Sequence, residues 1–570
     1  MGAVENIITD NLPIWSSAIQ STSSAGRGTS GKRNLYGVKK LRELILDLAV
    51  RGLLVPQDPS DEPSSVLLER AKADKERLFQ EGVIKKKTIF SFIDLGKSKL
   101  KVPSRWAHLR LGDIGFWAIG SGFPKNLQGS ENKEYFFSKV SDMNILGNEK
   151  YLIKANNTVS KTEVFDNKLK LHPPGTVVFP KIGGAIATNK RRILTSSAVF
   201  DNNCLGIIPL SVTLSEYLFI LLSSIDLTFY QAGTSVPALS QSTLELIEVG
   251  LPSIAEQHRI VAKVDELMAL CDTLEQQQED SIQAHEALVE VLLEALSNAV
   301  DANAFQAAWG RISEHFDALF TTDHSINKLK ETILQLAVMG KLVPQDPSDE
   351  PASVLLEKIA AEKERLVKEG KIKKQKPEAK IHHKSSQFTV ADGWAKTTFG
   401  KVMLNLDSQR IPISMQDRKL RSGPYPYYGA SGVIDKIDGY LFDKTLLLIG
   451  EDGANLVNRS TPIAFLATEK FWVNNHAHVL DAIDDITLHY MSIHINAIDL
   501  LPYITGMAQP KMNQAKMNSI HIMLPPLAEQ HRIVAKVDEL MALCDQLKNS
   551  LHQAQETQIL LTDAVVENAL

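Results

Sequence analysis

The sequence predicts an α+β chain: two α+β modules separated by long helices that pair as an antiparallel coiled coil, in a pseudo-twofold internal repeat. Three observations carry this reading. LVPQDPSDEP at Leu54–Pro63 returns unchanged at Leu342–Pro351, 288 positions later. AEQHRIVAKVDELMALCD at Ala255–Asp272 returns identical at Ala528–Asp545, 273 positions later. Between these segments, over Gly115–Tyr230 and Lys401–Tyr503, little can be aligned by eye. Long internal repeats mean one unit used more than once. Drift after duplication would blur the frame as much as its contents, so a constant frame with deliberately different inserts is the sharper reading. The chain divides into a helical frame over 1–102, a first module over 103–250, a central frame over 251–390, a second module over 391–523 and a closing helix over 524–570.

Each copy opens with an amphipathic helix. Leu41, Leu44, Ile45 and Leu48 recur at steps of three and four within Val38–Val50, as do Leu329, Ile333 and Leu336 within Ile326–Val338. Gly52 and Gly340 stand where helix C-caps place glycine. Pro56, Pro59 and Pro63 enforce a turn-rich link, and a charged helix follows from about Ser64 to Gly82. The basic runs Lys85–Lys87 and Lys371–Lys384 read as solvated linkers, with phosphate contact as the alternative.

Each copy closes with a helix of about 40 residues, roughly 60 Å long. Ile260, Val264, Leu267, Cys271 and Leu274 alternate steps of four and three, the coiled-coil seam. The seam relaxes at Gln278, Ser281 and His285 and resumes at Leu288 and Leu292. Ile533, Val537, Leu540, Cys544, Leu547 and Leu551 repeat the pattern. Ser253 and Glu256 have the spacing of a capping box. Two seams in one chain suggest that they pair with each other; two independent helical hairpins are the alternative. Gln257, His258, Gln530 and His531 at the helix starts belong with these seams as scaffold or partner contacts. The stretch up to about Tyr36 has no counterpart in the second copy.

Composition narrows the function. The chain has 570 residues, 44% hydrophobic and 23% charged, with three cysteines. Cys204, Cys271 and Cys544 form no CxxC and no disulfide framework, which favours a reducing, cytoplasmic setting. No apolar run is long enough to span a membrane and the first residues do not resemble a signal peptide. A net charge of −5 excludes binding to nucleic acid by bulk charge but leaves local patches open. Gly26–Lys32 fits GxxxxGK, but Arg33 replaces the magnesium-holding hydroxyl, so it reads as a linker. There is no GxGxxG, GxSxG, HExxH or NPPF/Y motif and no metal-ligand cluster, so no catalytic residue and no cofactor of the chain's own is expected.

Both inserts read as mixed α+β modules with exposed glycine loops. Gly233, Pro237 and Gln241 of the first match Gly506, Pro510 and Gln514 of the second. Arginine on guanine, and asparagine or glutamine on adenine, read base edges, while lysine holds phosphate. On that chemistry the DNA-contact candidates in the first insert are Lys181, Thr188, Asn189, Lys190, Arg191 and Arg192. In the second they are Gln409, Arg410, Arg418, Lys419, Arg421, Tyr427, Tyr428, Asn455, Asn458, Arg459, Asn474 and Asn475, then Gln509, Lys511, Asn513 and Lys516. A solvated loop is the plain alternative for each taken singly.

Two dissimilar inserts in a duplicated helical frame, each closed by LPxxAEQHRIVAKVDEL, resemble the specificity subunit of type I restriction–modification enzymes. YPYYGASGVIDKIDGYLFDKTLLLIGEDG, Tyr425–Gly453, is similar to that family's target recognition domains, and the long PQDPSDEP frame resembles a longer, type IB-like subgroup. The resemblance covers nearly the whole chain. It implies that each module reads one half of a split, asymmetric double-stranded DNA site. It implies two modification subunits methylating adenine N6 with S-adenosylmethionine, and motor-nuclease restriction subunits using ATP and Mg2+. The chain itself would supply address, not chemistry. The rival readings are a methyltransferase or nuclease with an unrecognised centre, and a coiled-coil adaptor whose inserts bind proteins.

Overall fold

A computed structural model of the chain describes residues 2–21, 33–84, 93, 98, 100–233, 235–373, 391–506 and 509–570. Gly26–Lys32, Lys85–Lys87 and most of Lys371–Lys384 lie outside the described residues. Two compact units form. Among the described residues, the first gathers 2–21, Arg33–Glu279 and Gln555–Leu570, and the second those of Asp280–Ala554. Among the described residues no helix is long and apolar enough to cross a membrane, and no group of His, Cys, Asp or Glu is arranged to hold a metal.

The frame helices follow the periodicity. The opening helices span Tyr36–Val50 and Asp323–Val338. Leu41, Leu44, Ile45 and Leu48 of the first are at most 1% exposed. Both helices end as expected, with Gly52 at φ +71° and Gly340 at φ +69°. The following amides, Leu53 N–H and Lys341 N–H, donate back to Leu48 and Leu336, closing the last turn. The charged helices span Ser64–Gln80 and Ala352–Lys368. The stretch before Tyr36, unassigned from sequence, forms short helices Gly2–Thr9 and Leu12–Ser17, and Ile8 and Trp15 enter the first unit's core. In the second unit a helix over Ala302–Glu314 precedes the opening helix and buries Ala308 and Ile312.

The long helices span Ile254–Ser297 and Leu527–Ala569. In the first unit, Val264, Leu267 and Cys271, near the start of one, share a core with Val565, Val566 and Ala569, near the end of the other. In the second unit, Val289, Leu293 and Leu296 share a core with Val537, Cys544 and Leu551. Start meets end in both units, the sense of an antiparallel pair. The seam after Cys271 differs from the reading by one step. It runs through Ile282 and Val289, while Ser281 is exposed and Leu288 is 51% exposed. Half-buried Ile282 and buried Val289 thus set the seam one position beyond the expected Ser281 and Leu288. The capping box forms only by half: Glu256 N–H donates to Ser253 Oγ at 3.0 Å. The Glu256 carboxylate instead accepts from Gln57 Nε2 of the proline-rich link.

The two frames are wired alike. Arg259–Asp61 and Arg532–Asp349 are both 2.6 Å ion pairs. Lys75 Nζ donates to Gly112 O as Lys363 Nζ donates to Gly400 O. Arg42 pairs with Asp272 as Lys330 pairs with Asp545. Tyr217 and Tyr490 donate to the carbonyls of Gly250 and Met523, and each sits edge-on to a tryptophan, Trp106 or Trp394, at 6.4 Å. Each module leaves and rejoins the frame through one antiparallel strand pair, in matching register: Ala107–Arg110 on Glu248–Leu251, and Ala395–Thr398 on His521–Leu524. The module is thus a long excursion whose two ends are clasped together.

Candidate nucleic-acid interface

The modules share a plan that the sequence hides. In the first, a five-stranded sheet holds Val177–Pro180 as its central strand, paired with Cys204–Pro209. In the second, Leu446–Gly450 is central to a four-stranded sheet and pairs with Ala477–Asp481. Cys204 faces Pro180 as Ala477 faces Gly450. The dissimilar sequences of Gly115–Tyr230 and Lys401–Tyr503 therefore overlie a common strand plan. A buried central strand needs only apolar residues, so VVFP and LLLIG serve equally.

From the central strand each chain enters a loop held by the same backbone bonds. Gly183 N–H donates to Pro237 O and Gly453 N–H to Pro510 O; Leu239 N–H donates to Lys181 O and Met512 N–H to Glu451 O. These place Lys181 in correspondence with Glu451. The loop then makes a short helical turn that buries Ile186 or Leu456, each 2% exposed. It ends on a left-handed residue, Asn189 at φ 51° or Arg459 at φ 48°. The partner segment is a hairpin, Gln231–Leu239 in the first module and Thr505–Lys511 in the second. Gly233 and Gly506 turn it with φ of 96° and 86°, so the match at those glycines has a backbone cause. One loop and one hairpin thus make a common edge on each module.

The candidate side chains divide on this edge. Arg191 is 2% exposed, and its guanidinium donates to Leu222 O and Ile225 O at the end of helix Ser215–Ser224. Arg459 does the same work in the second module, donating to Ile495 O and Ile498 O at the end of helix Asp485–Ala497. Asn189 Nδ2 bonds Ser223 O, and Arg192 bonds Met143 O. Arg191, Arg459 and Asn189 thus satisfy carbonyls at helix ends, and Arg192 satisfies that of Met143. Burial pushes the Arg191 pKa down to about 9. Asn455 ties its own turn through Thr461, Asn513 caps the short helix carrying Lys516, and buried Asn474 accepts His476 N–H. Tyr427 is wholly buried and Tyr428 packs on Phe465 and Phe471. Arg418 pairs with Asp435 and lies over Tyr427; Arg421 pairs with Asp438 and lies over Trp472.

Thr188, Gln409, Lys419, Asn458, Asn475, Gln509 and Lys511 are exposed, and Lys181 and Lys190 half so, Lys190 bonded to Asn144. Lys181, Thr188, Asn458, Gln509 and Lys511 lie on the loop-and-hairpin edge, whereas Arg418 and Lys419 lie on the short helix Met415–Leu420 and Arg421 caps its end, ahead of the separate sheet that holds Ser422–Gly429. Sequence reasoning missed the first module's hairpin and the neighbouring Phe229, 84% exposed. It also missed Asp407, Glu451 and His478, which lie buried or half-buried beneath the second edge. The matched Gly233 and Pro237 were the available signal for the hairpin.

Among the frame residues singled out, Gln257 is wholly buried and donates to Val212 O and Pro252 O, and Gln530 donates to Pro525 O. They serve as scaffold, as do Ile260, Val264, Leu267, Ile533, Val537 and, half-buried, Leu540. His258 and His531 stay exposed.

The repeated frame with two clasped modules is the architecture of a two-domain recognition chain, and comparison with known proteins agrees. The model of the type I restriction modification DNA specificity domain matches residues 103–284 and 392–556. The type I restriction enzyme EcoEI specificity subunit of Escherichia coli is 35% identical over the full length of both chains. The EcoAI specificity subunit, also of Escherichia coli, is 34% identical over the same full extent. A chain from a solved type I R-M system, described for its complex assembly and conformational transition, is 15% identical with a TM-score of 0.46, covering 82% of this chain and 98% of that one. The chain belongs to the type I restriction modification DNA specificity family.

Proposed function

We propose that the chain is the DNA specificity subunit of a type I restriction–modification complex and carries no catalysis of its own. The observation that supports this most is the pair of modules built on one plan, clasped into one repeated frame, and differing in the side chains of an equivalent edge. Each module reads one half of a bipartite, asymmetric double-stranded DNA site through its loop and hairpin. Lys181, Thr188, Gln231, Ser235 and Val236 face the first half, and Asn458, Gln509 and Lys511 the second. His258 and His531, exposed at equivalent helix starts, suit contact with two modification subunits. Those subunits bind S-adenosylmethionine and methylate adenine N6; motor-nuclease subunits use ATP and Mg2+ to cut unmethylated DNA.

The test is to express the chain with its modification subunits in a host lacking adenine methylation and map N6-methyladenine across the genome. The expected result is a split motif with a fixed gap and one methylated adenine in each half. Replacing Ala391–Met523 by the corresponding segment of a relative should change one half only. A single unbroken motif, or a change in both halves, would sink the two-reader assignment.

A further inference from the structure

The second module has a charged cluster with no counterpart among the described residues of the first. It lies directly beneath the loop and hairpin. His478 stands on the strand beside the central one and is 1% exposed. Its Nδ1 is 2.7 Å from Asp407 Oδ2, and its Nε2 is 2.9 Å from Met512 O. Neutral imidazole carries a single N–H, so only the imidazolium donates to both acceptors. Glu451 Oε2 lies 3.8 Å from the same Nδ1 and 2.9 Å from Arg410 Nη1, while Glu451 Oε1 is 3.2 Å from Lys511 Nζ. Arg410 also reaches Asp407 at 3.5 Å. Outside the cluster, Asp452 and exposed His476 form a 2.9 Å pair.

The cluster joins the two edge elements. Asp407 Oδ1 fixes Val479 N–H at 2.8 Å. Glu451 begins the loop, and Lys511 and Met512 end the hairpin. Beside the backbone bonds that already join them, His478 thus touches Met512 of the hairpin and lies 3.8 Å from Glu451 of the loop. At the matching positions of the first module stand Lys181, Leu205 and Ala238, which cannot form such a cluster.

We propose that His478 is a positioning residue for sequence discrimination by the second module, acting as a buried cation that holds the loop Glu451–Arg459 against the hairpin Thr505–Lys511. The proposal rests on the reading of both modules as DNA readers. Burial works against the charge, but the bond to Asp407 and the charges of Asp407 and Glu451 outweigh it and raise the ring's pKa. Loss of the proton leaves one buried acceptor unpaired. Discrimination by the second module then falls as pH rises, while that of the first does not.

The test uses the complex of the full chain with its modification subunits. Binding is competed between a duplex carrying the mapped bipartite site and duplexes with either half scrambled. In the wild type, preference for the intact second half should fall about threefold or more as pH rises above the ordinary imidazole value of 6.5 and through the ring's raised pKa, and preference for the first half should hold within about twofold. H478L should lower second-half preference roughly tenfold, remove its pH dependence and spare the first half. E451Q, which preserves volume, should lower second-half preference about threefold. Unchanged second-half preference in both variants, a flat wild-type profile, or equal loss at both halves would overturn the proposal. A wild-type complex with no preference for either half would instead sink the DNA-reading assignment itself.

Discussion

At the residue scale, the arginines show where side-chain type stops predicting role. Arg191 and Arg459 come from different loop positions, yet both cap the end of the same helix in their modules. R191A should cost the first unit about 2–4 kcal/mol, because it strands buried carbonyls and opens a large void; chemical denaturation followed by a first-unit probe checks this. A stability loss below about 1 kcal/mol would return Arg191 to the list of DNA contacts. His494 supplies a pH prediction for the second unit. Burial pushes its pKa down to about 4 from the ordinary 6.5, against a weak bond to His521 O. Below about pH 6.5 the unfolded chain takes the proton and the folded one does not, so stability falls as pH drops from about 6.5 to about 4, by on the order of 3 kcal/mol. His478 acts with the opposite sign, its contribution being lost as pH rises through its raised pKa. Urea melts of wild type and H494L across acid pH should show the slope flatten in the variant. None of this was legible: Arg191, His478 and His494 carry no spacing that separates a buried role from a solvated one.

At the element scale, the frame was legible and the modules were only half so. Opening helices, glycine caps and the long closing helices follow from periodicity and repetition. The kinship of the modules did not, because strands such as VVFP and LLLIG share pattern without identity, and their loops differ in length after Asn189 and Arg459. Repetition also could not tell Gln257, packed inside, from His258, exposed beside it. Glycines test the equivalence of the copies. A Cβ at Gly112 would meet Glu245 Cβ at 2.9 Å, and one at Gly400 would meet Asn518 Cβ at 2.8 Å. G112A and G400A should therefore destabilise their units alike, by about 1–3 kcal/mol. Gly52 and Gly340 should differ. Both need positive φ, but a Cβ at Gly52 meets Pro103 Cγ at 2.5 Å, while one at Gly340 finds nothing closer than 3.2 Å. G52A should cost more than G340A, and equal melting shifts for the two would contradict the packing described.

At the scale of the whole molecule, sequence order and structural membership part company. Residues Gln555–Leu570 belong to the first unit. There Val565, Val566 and Ala569 pack on its core, and Asp563 accepts from Tyr36 Oη at 2.7 Å. Burial and Asp563 push the Tyr36 pKa up to about 12. Truncation after Ala554 should therefore raise amide exchange in Tyr36–Val50 and in Ile254–Glu279, leaving Asp323–Val338 protected. Exchange rising mainly in the second unit would refute this membership.

That membership also sets a timetable. A ribosome releases a chain from its N-terminal side at roughly 5–20 residues per second. The second unit has all its described parts once Ala554 has emerged, although its synthesis starts later. The first unit, begun earlier, waits for Gln555–Leu570. Completion thus runs opposite to synthesis. Throughout that wait the first unit's core lacks Val565, Val566 and Ala569, and Tyr36 lacks its Asp563 partner, an interval in which a nascent chain is open to chaperones and to wrong partners.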